Sequence, residues 1–336
     1  MKRPYIIAEI GVNHNGNFDL AKKTIKAAAK SGADAVKFQM FHAEEFMSNI
    51  NEIYKYKTAK GFKKEDMFKM FKRLEFPYNW HEKIKKCCKN NGVDFFSTAG
   101  SEITASFLAK KKIKFIKIAS PDLTNYPLIE HIAKLKRKII LSTGMASEEE
   151  IDTAVNIFKS KKASFVLLHC VSMYPTKLED ANLLRIVKLK KKYKNIEIGY
   201  SDHTLGIDSA VIATALGATV IEKHFTLNKN LVGPDHLISS DPKEFTLMVN
   251  KVRNTIRLMG RESIEPSRTE KKNRKLFRRS ITVLKSIKKK EKLSQINLCL
   301  KRPETGLHPK YLKKILNKKA KKFLKKEHKI KFRDFN

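Results

Sequence analysis

Lys37 and Lys117 lie inside short β-branched and aromatic runs, Val36-Lys37-Phe38-Gln39 and Ile116-Lys117-Ile118-Ala119-Ser120. A cation in such a run snorkels, pairs with a carboxylate such as Glu9, or meets an anionic ligand. Hydroxyls stand at the ends of comparable runs: Thr98, Ser120, Ser142 and Ser201. Two ammonium groups among four hydroxyls suit a pocket for phosphate and carboxylate groups. Either lysine could instead be a Schiff-base nucleophile. His203 and His224 end two successive runs, where two imidazoles can share one divalent cation. Glu9 and Gln39 end the first two runs, Asp122 and Tyr174 follow the fourth and sixth, and a Gly233-Pro-Asp235-His236 turn carries a carboxylate towards the same rim.

The elements that must position these groups follow from the pattern. Eight strand-like runs are read at Tyr5–Val12, Ala35–Phe41, Asp94–Ala99, Phe115–Ser120, Lys138–Gly144, Ser164–Cys170, Ile196–Asp202 and Thr219–Phe225. Between them, segments such as Phe18–Lys30, Asn79–Asn90, Glu148–Lys159 and Ile207–Leu216 carry apolar residues at helical spacing. Eight strand–helix alternations predict an α/β chain with a closed (β/α)8 TIM barrel, whose chemistry gathers at the C-terminal strand ends. The connection from His42 to Pro77 is long for such a loop and suggests a lid. The domain reading is a barrel over 1–260, a polar linker over 261–276 and a small α+β module over 277–336, too small for a generous core of its own.

Composition narrows the classes. The 336 residues carry a net charge of +37, with 58 Lys among the 71 basic residues. Residues 267–336 alone hold 26 bases against 5 acids. That raises nucleic-acid binding through the basic tail as a reading from another class. Lysine rather than arginine, without interleaved aromatics, argues against it and for a solvated surface. No apolar run approaches the ~20 residues that span a bilayer. Cys87, Cys88, Cys170 and Cys299 match neither a zinc spacing nor a disulfide framework, so the expected compartment is the cytoplasm.

Taken in order, the motifs resemble the N-acetylneuraminate (sialic acid) synthase family of phosphoenolpyruvate-condensing enzymes. They are Ile7-Ala-Glu-Ile-Gly-Val-Asn-His-Asn-Gly16, Val36-Lys-Phe-Gln39, Phe96-Ser-Thr98, Lys117-Ile-Ala-Ser120, Asn125-Tyr-Pro-Leu128 and Ile140-Leu-Ser-Thr-Gly-Met145. Leu168-His-Cys170, Tyr174-Pro-Thr176, Ser201-Asp-His-Thr-Leu205, Ile221-Glu-Lys-His-Phe-Thr226 and Gly233-Pro-Asp235 continue the series. The tail Lys301-Arg-Pro-Glu-Thr-Gly306 resembles the antifreeze-like (SAF) domain of that family.

The resemblance implies condensation of phosphoenolpyruvate with an open-chain N-acylated hexosamine and release of phosphate. His203 and His224 would hold a divalent metal, Mn2+ first and Mg2+ or Co2+ otherwise. Lys37, Thr98, Lys117, Ser120, Ser142 and Ser201 would bind phosphoenolpyruvate. Glu9 and Gln39 would orient sugar and water, with Glu9 carrying the proton. Asp122, Tyr174 and Asp235 would contact the sugar, and Arg302 would reach it from the other subunit of a domain-swapped homodimer. Three departures fall on the acceptor side: Asp122 for the family's Glu, Ser172 for Asn, and Glu304 for the Gly of Arg-Pro-Gly. They leave N-acetylmannosamine, a 2,4-diacetamido sugar leading to legionaminate, and the isomer leading to pseudaminate as acceptors. The Gly-Pro-Asp turn favours the first two over pseudaminate.

Overall fold

The computed structural model describes residues 2–48 and 52–336. The chain divides into two compact units, Met1–Arg261 and Glu262–Asn336. In chain order the strands are β1 (Tyr5–Gly11), β2 (Ala35–Met40), β3 (Ile53–Thr58), β4 (Gly61–Asp66), β5 (Asp94–Ala99), β6 (Phe115–Ile118), β7 (Lys138–Ser142), β8 (Phe165–Cys170), β9 (Glu197–Asp202), β10 (Val220–His224), β11 (Ser280–Val283) and β12 (Leu298–Lys301). The first unit is a closed parallel barrel in the order β1-β10-β9-β8-β7-β6-β5-β2. Its eight strands are the eight runs read from the sequence, so the TIM-barrel expectation holds.

Local chemistry explains the helices around it. Ser101, Ser147 and Asp241 each close a capping box with the residue three positions on. The helix Phe18–Lys30 buries Ala21, Thr24, Ile25 and Ala28 on one face, and Gly32 with φ +89° ends it. One core cluster fills the barrel wall, including Ile6, Ile10, Phe38, Phe96, Ile116, Leu141, Leu167 and Ile221.

Two features of β1 and β2 bear on the site. The register between them shifts across Glu9 and Gly11. Gly11 takes φ +53°, and a Cβ there would lie 3.0 Å from Glu9 Oε1 and 3.4 Å from Gln39 Nε2. The glycine therefore leaves room for the Glu9–Gln39 pair at the end of the strand.

The His42–Pro77 connection, long for a loop, contains an antiparallel hairpin, β3–β4. Its buried Tyr56 joins Val12, Phe41, Met70 and Leu74 in a small separate cluster.

The second unit has its own core of Ile281, Val283, Ile287, Leu293, Ile315, Leu324 and Ile330 around the β11–β12 pair. The stretch read as a linker holds a helix, Arg268–Phe277, capped by Ser267. Arg302 belongs to this unit, with its guanidinium 5.7 Å from the centre of the Phe277 ring. Among the described residues no helix is long and apolar enough to cross a membrane. All four cysteines are free.

Candidate active site

Strand alternation sends every second side chain into the barrel. Contacts between strands reveal which ones meet there. Lys37 on β2 pairs with Glu9 Oε2 of β1 at 2.8 Å and donates to Thr98 Oγ1 of β5 at 3.1 Å. Lys117 on β6 donates to Ser142 Oγ of β7 at 2.6 Å. Both ammonium groups approach Glu222 Oε1 of β10, Lys37 at 3.7 Å and Lys117 at 3.5 Å. Ser201 on β9 donates to the same oxygen at 3.0 Å. Gln39 donates to Glu9 Oε1 at 3.0 Å. Ser120 accepts the Gly144 N–H at 3.0 Å and so fixes the turn after β7.

Two lysines, two glutamates and three hydroxyls thus form one buried cluster, with no charge more than 3% exposed except Glu222 at 4%. Glu222 is the member that sequence reasoning passed over. His224, two residues further on, carried the signal, because residues two apart on a strand share a face. Cys170 was also passed over; its Sγ lies 3.8 Å from His203 Nδ1.

The charges set each other. Burial acts to raise Glu222, but Lys117 and Lys37 outweigh it and hold the carboxyl below its usual value. Burial acts to lower Lys37, but Glu222 and Glu9 outweigh it and raise the ammonium pKa. Lys117 is lowered by burial, which its fewer carboxylate neighbours do not offset. Burial raises Glu9 despite the Lys37 contact. Glu222 Oε2 is buried without a hydrogen-bond partner.

At the rim, His203 and His224 lie with ring centres 5.3 Å apart, beneath the Tyr174 ring at 4.1 and 5.8 Å respectively. The Val171 carbonyl, 2.7 Å from His203 Nδ1, can only accept, so that nitrogen holds a proton, and against burial Cys170 and the Val171 carbonyl raise the His203 pKa above its usual value. His224 is pushed well below its usual pKa, first by burial and then by His203 and nearby lysines, and is neutral. Its Nδ1 is buried without a hydrogen-bond partner, 3.6 Å from Asp235 Oδ2. Among the described residues no three His, Cys, Asp or Glu side chains come together as a metal cluster. Two imidazoles, one of them neutral with an orphaned nitrogen, nevertheless fit a borderline divalent ion whose other positions are taken by oxygen ligands.

These groups open onto a cavity of about 350 Å³ lined by Gln39, Thr98, Asp122, Tyr174, His224 and Asp235. Its lining also includes Val12, Tyr54, Met67, Met70, Phe71 and Pro234, supplied largely by the long connection after β2. All the barrel residues singled out from the sequence are therefore brought to one end of the barrel. Arg302 is in the other unit.

Burial raises the Asp122 carboxyl from 3.8 to about 6. A folded pKa above the unfolded one means that the ionised form is disfavoured by folding, and that the penalty fades as pH falls through the folded value. Asp122→Asn should therefore melt above the parent near pH ~8, and the gap should close as pH falls below about 6. Melting curves across that range check this; a gap that widens towards acid would contradict it.

Known proteins resemble this chain in sequence and fold. Residues 24–263 match the NeuB family and residues 278–332 match the SAF domain. The chain is 40% identical to an N,N'-diacetyllegionaminic acid synthase of Campylobacter jejuni over 98% of its own length and 99% of the relative's. It is 39% identical to a pseudaminic acid synthase of the same species, over 99% and 97%. The crystal structure of N-acetylneuraminic acid (sialic acid) synthetase from Leptospira borgpetersenii superposes with a TM-score of 0.74 at 38% identity, covering 81% of this chain and 90% of that one. With the match to the first family spanning most of the barrel, the chain is a member of the NeuB family whose sequence continues into a SAF domain.

Proposed function

We propose that the chain is a cytoplasmic nonulosonic acid synthase joining phosphoenolpyruvate to an open-chain N-acylated hexosamine. The observation that carries this reading is the buried Lys37–Lys117–Glu222–Glu9 cluster beside a cavity with a histidine pair at its rim. Lys37 and Lys117, with Thr98, Ser142 and Ser201, bind the phosphate and carboxylate of phosphoenolpyruvate. Ser120 holds the turn beside them.

In the reaction, C3 of phosphoenolpyruvate forms a bond to the aldehyde carbon, water adds at C2, and the C2–O bond to phosphate breaks. One proton of the water goes to the new alkoxide, and the other leaves with the phosphate as the C2 hydroxyl becomes the ketone. Glu9, raised by burial and held by Gln39 and Lys37, relays the first through its carboxyl oxygens. His203 and His224 would hold Mn2+, or Mg2+ or Co2+, which when bound supplies Lewis-acid polarisation of the aldehyde. Tyr174, Asp122 and Asp235 bind the sugar's polar groups and keep it oriented. The same reading has Arg302 of one subunit reaching the acceptor bound by the other in a homodimer.

The apolar side chains of Val12, Met67, Met70 and Phe71 in the lining support an acceptor that presents methyl groups rather than hydroxyls there. Hydroxyls set against such side chains lose water without gaining a partner. A panel of acceptors with phosphate readout tests this. The 2,4-diacetamido-trideoxyhexose of the legionaminate type should exceed N-acetylmannosamine in kcat/KM by about 10-fold or more, the range one apolar group decides. Equal turnover of both would overturn the assignment, and a preference for the pseudaminate-type isomer would move the chain to that branch. In the same reactions, borohydride quenching should leave the chain's mass unchanged; a trapped adduct would instead identify a Schiff-base aldolase acting through Lys37 or Lys117.

A further inference from the structure

Each rim histidine follows directly after a charged residue that the proposed reaction does not use. Asp202 and Lys223 stand opposite each other in the register of β9 and β10. By alternation they point away from the barrel interior, while Ser201 and Glu222 before them and His203 and His224 after them point inward. Both charges are 1% exposed.

Their bonding is dense. Lys223 Nζ donates to Asp202 Oδ2 at 2.7 Å and to the Thr204 carbonyl at 2.6 Å. Asp202 Oδ2 also accepts from Ser209 Oγ at 2.8 Å. Asp202 Oδ1 accepts from the Thr204 N–H and Oγ1, both at 2.8 Å, and from the Tyr200 hydroxyl at 3.2 Å. The cluster therefore grips the backbone directly after His203, at Thr204, from the side chain of the residue directly before it. The Lys223 bond to Thr204 ties that same turn to β10 one residue before His224.

A buried ion pair is a poor device for stability alone, since apolar side chains of similar volume often serve as well or better. What this pair adds is position. It cross-links β9 and β10 at the step between the Ser201–Glu222 contact and the two imidazoles. We propose that Asp202 and Lys223, with Thr204 and Ser209, are positioning residues that set the separation of His203 and His224 for a shared divalent ion. The inference rests on the metal reading given above, and neither charge touches a reacting atom.

The test is Mn2+ binding to the purified full chain, followed by the electron paramagnetic resonance signal of free Mn2+ and accompanied by metal-free melting curves. The neutral pair Asp202→Asn with Lys223→Met keeps an amide to serve Thr204 and Ser209 and leaves no buried charge alone. We expect it to fold and to bind Mn2+ on the order of 10-fold more weakly, the scale of outer-shell changes at metal sites. Ser209→Ala removes one donor to Asp202 and should weaken binding several-fold, which keeps the test available if the double variant does not fold. Folded variants with the parent's Mn2+ affinity would overturn the proposal while leaving the metal reading intact. A parent that binds no Mn2+ would overturn the metal reading itself.

Discussion

In His224→Ala, phosphate release from phosphoenolpyruvate and acceptor should fall by about 10³-fold or more, a barrier increase of about 4 kcal/mol. Chelation of the parent should have the same effect and be reversed by Mn2+. The magnitude follows from the position of the ring, because a Lewis acid held at the aldehyde is worth several kcal/mol of charge stabilisation. The fold should tolerate the change. The His224 Nδ1 is already buried without a hydrogen-bond partner, so its removal strands no other group. Phosphate release that survives both chelation and the substitution would sink the metal role.

Lys117→Met should be the second severe change, and it should act on phosphoenolpyruvate rather than on the acceptor. Lys117 donates to Ser142 at 2.6 Å and stands 3.5 Å from Glu222, whose other nearby cation is Lys37 at 3.7 Å. Removing one cation leaves a buried carboxylate half-compensated, at a cost of about 3–5 kcal/mol. It also places that negative charge where an anionic substrate must enter. We expect kcat/KM for phosphoenolpyruvate to drop by roughly 10³-fold, carried mainly by KM, together with a lower melting temperature. Initial rates at varied phosphoenolpyruvate check this, and a loss under 10-fold would remove Lys117 from the substrate site.

The barrel was legible because its strands are short β-branched runs separated by amphipathic helices, and its end was legible because polar residues interrupted those runs where a core would exclude them. Glu222 escaped because Glu222-Lys223 reads as two neighbouring opposite charges until the strand's faces are separated. One of them neutralises the interior cluster and the other belongs to the outer network. The helix Arg268–Phe277 escaped for a different reason. It buries no residue, so it has no apolar stripe to read, and only the Ser267–Glu270 capping box marked its start. The hairpin Ile53–Asp66 lay hidden in lysines that do not resemble strand residues.

That hairpin gives part of the lysine surplus a physical role. It is a sheet of only two strands, so both outer edges carry backbone groups without a neighbouring strand. Ile53 and Phe62 are exposed on it, the kind of surface that recruits further strands into aggregates. Lys55 faces Lys64 directly across the pair, and Lys57 and Lys63 stand beside them. Facing ammonium groups weaken the hairpin itself, yet any incoming strand would have to lie against the same concentrated charge. In solution these lysines act as colloidal guards: they trade some local cohesion for resistance to self-association while the chain folds.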